Sequence, residues 1–379
     1  MIYLNQAATT YPKPQCVLDA YTAAFTHPPA GQYRSSSGGK DAKEACRKSL
    51  GKLLGIQETD RIFFSSGATD SSNALIYGLP LAGKTAAASQ TEHNSILRPL
   101  MNLKDQVGRV VVIPCDSYGK IHLEALERIL KEEKPAAVFV SHCSNVTGMI
   151  QDMEAIGQMV HEHEALFVAD VSQSAGCIPV DADAWKVDAL IFTGHKSLFG
   201  VPGTGGYYVR SGIYFRPYRF GGTGRNSSRL TYENGDYEYE PGTANDPGIA
   251  ALDAGVSWIL EKGVTAIAKG EQRLMKKLYE GLDAIPGVKT YGTWKTNLGP
   301  VLSFNIADLL PGDTAYILQN SYDITVRTGL HCAPLIHEAM RTMQSGTVRV
   351  SISALTAEED VDALLEAVNE ICTGMEIVK

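Results

Sequence analysis

The sequence predicts an α/β protein built on a mostly parallel sheet, because short β-rich segments alternate with helical patterns up to about residue 248. The composition supports a packed core, with 44% hydrophobic and 20% charged residues, and it excludes a disordered chain. A length of 379 residues suits two or three domains, or one large fold with a smaller companion. Ligand sites of such sheets lie at the carboxyl ends of the strands.

The large unit contains a series of β-rich segments separated by amphipathic patterns such as LEALERILKEE and MEAIGQMVHEHE. We predict strands at 61–66, 85–89, 109–114, 136–142, 165–170, 188–194 and 205–210. Strands joined by helices in this order form parallel pairs through strand–helix–strand crossovers.

A different pattern follows, beginning with a long amphipathic helical stretch over 249–285 that is interrupted around Gly263. Further β-rich segments lie at 301–307, 323–329 and 347–353, before a last helix whose Thr356 and Glu359 predict a capping box. We therefore expect a large domain over 15–255, and a small α+β domain formed by 256–379 together with 1–14.

Charge and cysteine usage narrow the class of protein. The chain has 34 Lys plus Arg and 42 Asp plus Glu, a net charge of −8 that disfavours nucleic acid or an anionic membrane as partner. It has no apolar run of about 20 residues and no signal-like start, so we expect a cytoplasmic protein. The seven cysteines include no CxxC pair, and His161 and His163 point to different helix faces, so no metal site is expected.

The segment DALIFTGHKSLFGVPGTGG places Lys196 at the carboxyl end of a predicted strand. Most lysines in such loops are simply solvated, and the glycines that follow match neither a P-loop nor a dinucleotide fingerprint. The functional alternative is a Schiff-base lysine, which requires a carbonyl cofactor such as pyridoxal phosphate and a pocket that lowers the lysine pKa.

Pyridoxal phosphate needs a carboxylate that keeps its ring nitrogen protonated, and Asp170 at the end of ALFVAD suits that position. A helix N-cap is an equally good interpretation of Asp170 taken alone. Gln173, three residues later, could reach the phenolic oxygen of the same ring.

The phosphate needs free amide groups at a helix N-terminus, and FFSSGATDSSNALIYGL supplies a strand, a turn and a helix. Gly67, Ala68 and Thr69 would form the cup, although an ordinary N-cap by Ser66 or Thr69 explains the same residues. His93, after another strand end, could stack on the ring or be an ordinary surface residue.

These segments, taken in order, resemble the cysteine desulfurase and selenocysteine lyase branch of the class V aminotransferases, which are fold-type I pyridoxal-phosphate enzymes. The similar motifs are LNQAATT, SSGATDSSN, TEHNS, SNVTG, ADVSQSAG, TGHK, EPGTAN, RTGLHCAP and VRVSIS. The likeness extends over nearly the whole chain. It implies the transferase fold of that family, with a large cofactor-binding domain and a small C-terminal domain.

The resemblance also implies a role for individual positions. The catalytic groups would be Lys196, Cys332 and His93, with Arg349 binding the substrate carboxylate. Thr243 would reach the phosphate of a partner subunit, which implies a homodimer with shared sites. The cofactor would be held by a set of strand-end and loop residues: Ala68, Thr69, His93, Asn145, Asp170, Gln173, Thr193, His195, Lys196 and Thr243, with Asn145 also near the substrate.

Cys332 in RTGLHCAP matches a cysteine that takes sulfur from L-cysteine as a persulfide and leaves L-alanine. His331 and Arg327 are the candidates for a positive charge that promotes its thiolate. Leu330 replaces a more usual histidine, and Asn5 with Gln6 replaces a more usual aspartate-containing start. The alternatives are a selenocysteine lyase acting on L-selenocysteine, another C–S lyase or an aminotransferase, and a sulfur-acceptor protein is the expected partner of a desulfurase.

Overall fold

The computed structural model describes residues 1–26, 42–103, 105–222, 228–232, 237–294 and 298–378. In chain order these form β1 (Ile2–Tyr3), α1 (Gln15–Ala23), α2 (Ala42–Leu54), β2 (Ile62–Ser65), α3 (Ala68–Gly78), β3 (Thr85–Ser89), α4 (Asn94–Asn102), β4 (Arg109–Ile113), α5 (Leu123–Glu133), β5 (Ala137–Ser141), α6 (Met153–Glu162), β6 (Leu166–Asp170), β7 (Ala189–Thr193), β8 (Gly205–Val209), α7 (Asp246–Lys262), α8 (Val264–Ala284), β9 (Val288–Tyr291), β10 (Val301–Ile306), α9 (Pro311–Tyr322), β11 (Ile324–Thr325), β12 (Arg327–Gly329), α10 (Pro334–Ala339), β13 (Thr347–Ser351) and α11 (Glu358–Val378).

The large sheet has seven strands in the order β2-β8-β7-β6-β5-β3-β4. Strands β4, β3, β5, β6 and β7 are parallel, and β8 runs antiparallel to both β2 and β7. The predicted α/β class with a mostly parallel sheet is therefore confirmed. Because the parallel strands end at one edge, the residues that follow them converge there.

The smaller sheet is antiparallel, in the order β12-β13-β10-β9. The first residues of the chain join this part of the molecule, since β1 pairs with β11 and Asn5 bridges to Ser351. Leu4 is fully buried in the same hydrophobic core as β10 and β13. The chain start and the C-terminal third thus form one packing unit.

Hydrophobic residues from both faces of the large sheet form two cores, and a further core covers the small sheet. Helix α7 packs its Leu252, Val256 and Ile259 into a large-sheet core, whereas α8 packs Leu274 and Leu278 against the small sheet. We keep the division into 15–255 and 1–14 plus 256–379 as a proposal, and α7 extends across that boundary.

Gly263 separates α7 from α8, with φ of +81° and its amide bonded to the Ile259 carbonyl. This agrees with the predicted interruption, since a positive φ favours glycine. The capping box predicted at Thr356 and Glu359 is wrong by one residue: the Asp360 carboxylate accepts from the Ala357 amide instead. Among the described residues, no helix is both long enough and apolar enough to cross a bilayer.

Candidate active site

A cavity of about 330 Å³ lies at the edge of the large sheet where the parallel strands end. Ser141, Asp170 and Thr193 line it directly from the last positions of β5, β6 and β7. Arg327, His331 and Arg349, from the part of the chain that forms the small sheet, also line the cavity. The other predicted residues in its wall are Ala68, Thr69, His93, Asn145, Gln173, His195 and Lys196. The structure therefore brings most of the predicted site residues together.

Lys196 follows β7 after a two-residue turn, and its carbonyl accepts from Thr10 Oγ1 at 2.9 Å. The side chain is largely buried and lines the cavity. Burial lowers the pKa of Lys196 to about 8, and the negative charge of Asp170 opposes that effect. A substantial fraction of the amine is therefore neutral near physiological pH, the state a nucleophilic or basic lysine requires. The solvated-loop alternative is excluded.

Asp170 is buried at the end of β6, where its Oδ1 accepts from the Ser172 amide at 2.8 Å. Burial raises its pKa, while the Ser172 hydrogen bonds and the charge of Lys196 act in the opposite direction. An anion at this position needs a cationic partner inside the cavity. A protonated ring nitrogen would supply one.

The N-terminus of α3 faces the cavity, with Gly67 as its N-cap at φ +139° and no side-chain cap. The ordinary caps by Ser66 or Thr69 are therefore not formed, and Ala68 and Thr69 in the first turn line the cavity. Gly205 packs so closely that a Cβ on it would lie 2.6 Å from Gly67 Cα. This close packing holds the turn in place, and an uncapped helix N-terminus suits an anion.

His93 caps α4, because its Nδ1 accepts from the Ser95 amide at 3.0 Å. Burial, assisted by the charge of Lys196, lowers the His93 pKa to about 3. The ring is therefore neutral with its proton on Nε2, and it lines the cavity as an aromatic face. His195, which lines the same cavity, is also neutral, since burial lowers its pKa to about 4.

Cys332 lies in a loop between β12 and α10 in which His331 and Cys332 both have positive φ, 51° and 59°. The Cys332 carbonyl accepts from the Asn94 amide at 2.6 Å, which fastens the loop beside His93. Cys332 is half-buried, and Arg327 Nη2 lies 3.7 Å from its sulfur. Arg327 and His331 line the cavity, and Cys332 directly follows His331 in the chain.

Of the two expected sources of positive charge for Cys332, only Arg327 is suitable. His331 is buried and its Nε2 lies 3.0 Å from Thr347 Oγ1. Burial and the nearby charge of Arg349 lower the His331 pKa to about 2, so the ring is neutral. The expectation that His331 supplies a cation is therefore wrong, and the arginine beside the sulfur remains.

Arg349 is almost fully buried on β13, opposite Arg327 on β12. Its Nη1 donates to the Asn145 carbonyl at 3.0 Å and its Nη2 donates to Asn5 Oδ1 at 3.1 Å. Its Nε is a buried donor without a partner in the described structure. Burial lowers the pKa of Arg349 to about 9. A buried, oriented guanidinium with an unused donor suits a carboxylate ligand.

Two amide side chains connect the cavity wall to the small domain and the chain start. Asn145 Nδ2 donates to the His331 carbonyl at 2.6 Å, and Gln173 Nε2 donates to the Ala7 carbonyl at 3.1 Å. Both residues also line the cavity. Their predicted contacts with cofactor and substrate remain predictions.

Like Cys332, Thr243 is a predicted site residue that does not line the main cavity of its own chain. It is exposed and lines a neighbouring cavity of about 210 Å³. Its segment is fastened at both ends, by ion pairs of Glu240 with Lys43 and Arg47, and by Asn245, which caps α7.

Sequence reasoning missed the structural role of the chain start. Asn5 orients Arg349, while the hydroxyl of Thr10 and the Nζ of Lys13, 2.8 Å from the His195 carbonyl, hold the turn that carries Lys196. The LNQAATT motif indicated that this segment mattered, but nothing in it identified Arg349 as the contact.

The sequence profile of the aminotransferase class-V family matches residues 2–364. The chain belongs to the class-V aminotransferase family. Its curated relatives include a probable cysteine desulfurase of Pyrococcus abyssi, 32% identical, with the alignment covering 99% of this chain and 95% of the relative. A cysteine desulfurase of Escherichia coli is 30% identical, covering 98% and 93% of the two chains.

A solved structure is similar to this chain over nearly the whole length of both. The apo cysteine desulfurase of Thermococcus onnurineus superimposes with a TM-score of 0.88 at 29% identity, covering 98% of this chain and 95% of that one. Within the described ranges, no group of three or more His, Cys, Asp or Glu side chains is arranged to hold a metal ion.

Proposed function

We propose that this class-V family member is a pyridoxal-phosphate-dependent cysteine desulfurase, an enzyme that converts L-cysteine to L-alanine and transfers the sulfur to Cys332 as a persulfide. The observation that carries the proposal is the position of Cys332 beside Arg327, 3.7 Å from sulfur to Nη2, on a loop fastened to the lysine-bearing cavity. The relatives named cysteine desulfurase support it.

The residues present fit pyridoxal phosphate. The uncapped first turn of α3 with Ala68, Thr69, Thr193 and His195 suits the phosphate, and Asp170 suits the ring nitrogen. His93 would lie against the ring, with Asn145 and Gln173 at its edge. When bound, the cofactor supplies an electron sink that makes the substrate α-proton acidic.

Arg349 would bind the substrate carboxylate through Nε and one Nη, which orients the Cα–H bond toward Lys196. Lys196 Nζ, whose pKa burial lowers to about 8, then takes the Cα proton as general base. His93 remains neutral at this stage, so it does not add positive charge beside the lysine.

Arg327 would stabilise the Cys332 thiolate, which attacks the Sγ atom of L-cysteine. The new S–S bond forms as the substrate C–S bond breaks, and the bonding pair stays with the substrate carbon. That carbon takes up a proton, Lys196 would return a proton to Cα, and the product leaves as L-alanine, while Cys332 keeps the outer sulfur at the persulfide level. A thiol acceptor, such as a sulfur-acceptor protein, then regenerates the cysteine.

Product analysis with matched cysteine variants tests the proposal. Native enzyme supplied with L-cysteine and dithiothreitol should form L-alanine and sulfide in equal amounts. Cys332→Ala should lose at least about 100-fold in rate because it removes the nucleophile. Cys16→Ala, which alters an exposed cysteine, should match the native enzyme. Alanine formation unchanged in Cys332→Ala would refute the sulfur-transfer role, and activity confined to L-selenocysteine would identify a selenocysteine lyase.

We also propose a homodimer in which Thr243 reaches the phosphate site of the partner subunit, because Thr243 is exposed on a segment fastened at both ends. A mixture of Lys196→Ala and Thr243→Ala chains, unfolded and refolded together, should exceed the mean of the separate variants, because one hybrid site then has both residues. Activity equal to that mean would refute shared sites. Location in the cytoplasm stays a prediction from the sequence.

A further inference from the structure

Glu92 is a fully buried acid beside the cavity that the mechanism does not use. It lies between β3 and α4, directly before His93, and its side chain does not line the cavity. Its Oε1 accepts from Ser89 Oγ and from the Ser141 amide, each at 2.6 Å. Its Oε2 lies 2.7 Å from Ser141 Oγ. Both carboxyl oxygens are therefore occupied by the ends of two adjacent strands.

These contacts continue the sheet beyond its backbone pairing. The register of β3 with β5 ends where Ala88 lies opposite Phe139, and the Ser141 amide two residues later finds Glu92 instead of a backbone carbonyl of β3. On its other side Ser141 lies opposite Asp170 in the β5–β6 register. The Asp170 carbonyl also accepts from the His142 amide at 2.9 Å. The position of Asp170 is thus connected to Glu92 through the end of β5.

We propose that Glu92, as an uncharged carboxylic acid, is a positioning residue that extends the β3–β5 pairing and holds the end of β5, and with it Asp170, against the cofactor ring. This proposal rests on the proposed function for the identity of the cofactor. It assigns Asp170 as the anion that would pair with the ring nitrogen, with Glu92 acting through hydrogen bonds alone.

The chemistry around Glu92 favours the uncharged form. Burial raises the Glu92 pKa to about 8, the charge of Asp170 raises it further, and the hydrogen bonds from Ser89 and Ser141 act in the opposite direction. Two ionised carboxylates in one dry site repel each other, so the acid with no cationic partner keeps its proton. Protonated at Oε2, Glu92 would donate to Ser141 Oγ, while Oε1 still accepts from the Ser141 amide.

Two substitutions separate this role from the need for a charge. Glu92→Gln keeps the length and the uncharged state: its oxygen can accept from Ser89 Oγ and the Ser141 amide, and its NH₂ group can donate to Ser141 Oγ. Glu92→Asp keeps an acid but is one methylene shorter, so it cannot reach both strand ends. The matched control is Glu132→Asp on the exposed face of α5.

The experiment measures pyridoxal-phosphate dissociation constants, the visible circular dichroism of the bound cofactor, and urea unfolding of the cofactor-free chains at pH 7. Glu92→Gln should bind the cofactor within about 3-fold of the native constant and keep its dichroic band, whereas Glu92→Asp should bind about 10- to 100-fold more weakly with an altered band. Glu132→Asp should match the native chain in all three measurements.

If Glu92→Asp bound the cofactor nearly as well as the native chain while Glu92→Gln bound it weakly, the uncharged role would be overturned. If both variants bound it as the native chain does, the positioning role would be overturned. If the native chain binds no pyridoxal phosphate, the proposed function fails and the cofactor part of this proposal fails with it. The urea series still tests the bridge itself. The bridge is supported if Glu92→Gln has the unfolding free energy of the native chain and Glu92→Asp a lower one. Any other order of the unfolding free energies refutes it.

Discussion

Arg349→Lys offers a quantitative test of how the substrate is held. Arg349 is 1% exposed, two nitrogens of its guanidinium are used by Asn145 and Asn5, and Nε is unused. A carboxylate would therefore meet Nε and the remaining hydrogen of one Nη as a bidentate pair. Lysine keeps the charge but offers a single nitrogen, so one charge-assisted hydrogen bond is lost. That loss costs about 1.5–3 kcal/mol, which corresponds to a fall in kcat/KM of about 10- to 150-fold.

The assay compares L-cysteine with cysteamine, which has the same thiol and amine but no carboxylate. Arg349→Lys should lower kcat/KM for L-cysteine by the stated factor and leave the much slower cysteamine reaction within about 2-fold. Arg109→Lys, at an exposed ion pair with Glu133, serves as the control and should change neither. An equal loss for both substrates would refute the carboxylate contact and assign Arg349 a purely structural role.

Three further predictions concern titration and stability. Lys196 has a pKa of about 8 in the folded chain and about 10.5 in the unfolded chain, so the unfolded chain binds more protons between these pH values. The unfolding free energy of the cofactor-free native chain should therefore rise from pH 8 to 10.5 relative to that of Lys196→Met. Parallel plots of unfolding free energy against pH for the two chains would contradict the lowered pKa. Glu240→Gln breaks two partly buried ion pairs and should lower the unfolding free energy by about 1–3 kcal/mol. Glu44→Gln, at an exposed ion pair, should lower it by less than about 0.5 kcal/mol. Equal urea midpoints for the two variants would contradict the idea that Glu240 anchors the segment that carries Thr243. Gly148→Ala would place a Cβ 2.1 Å from the Val301 carbonyl at a φ of +72° and should destabilise strongly, while Gly270→Ala meets no atom within 4 Å and should stabilise by about 0.5–1 kcal/mol in thermal melts.

Much of the site could be predicted because its residues directly follow strands. Asp170 ends a predicted β-rich segment, and Lys196 and His93 come two and four residues after the ends of two others. Parallel strands bring such residues to one edge. The helix break at Gly263 was equally local, since a glycine between two apolar periodic segments identifies it.

Features that depend on distant contacts or on burial could not be predicted. The neutral state of His331 follows from its packing against Thr347 and near Arg349, neither of which is adjacent in sequence. At the N-terminus of α11, Asp360 rather than Glu359 makes the capping contact. This difference depends on the turn that the chain takes after β13, where several polar side chains compete for the free amides. Apart from its place in TEHNS, the sequence did not indicate a role for Glu92, because that role depends on a contact with Ser141 in a different strand.

The contact between Asn5 and Arg349 joins positions 344 residues apart. During synthesis on the ribosome, Asn5 is therefore made 344 residues before Arg349, whose guanidinium it orients. A nascent chain that already has the whole parallel sheet, with Asp170 and Lys196 in place, still lacks the group that would select an amino-acid substrate. The order of translation thus separates the residues proposed to hold the cofactor from the arginine proposed to bind the substrate carboxylate.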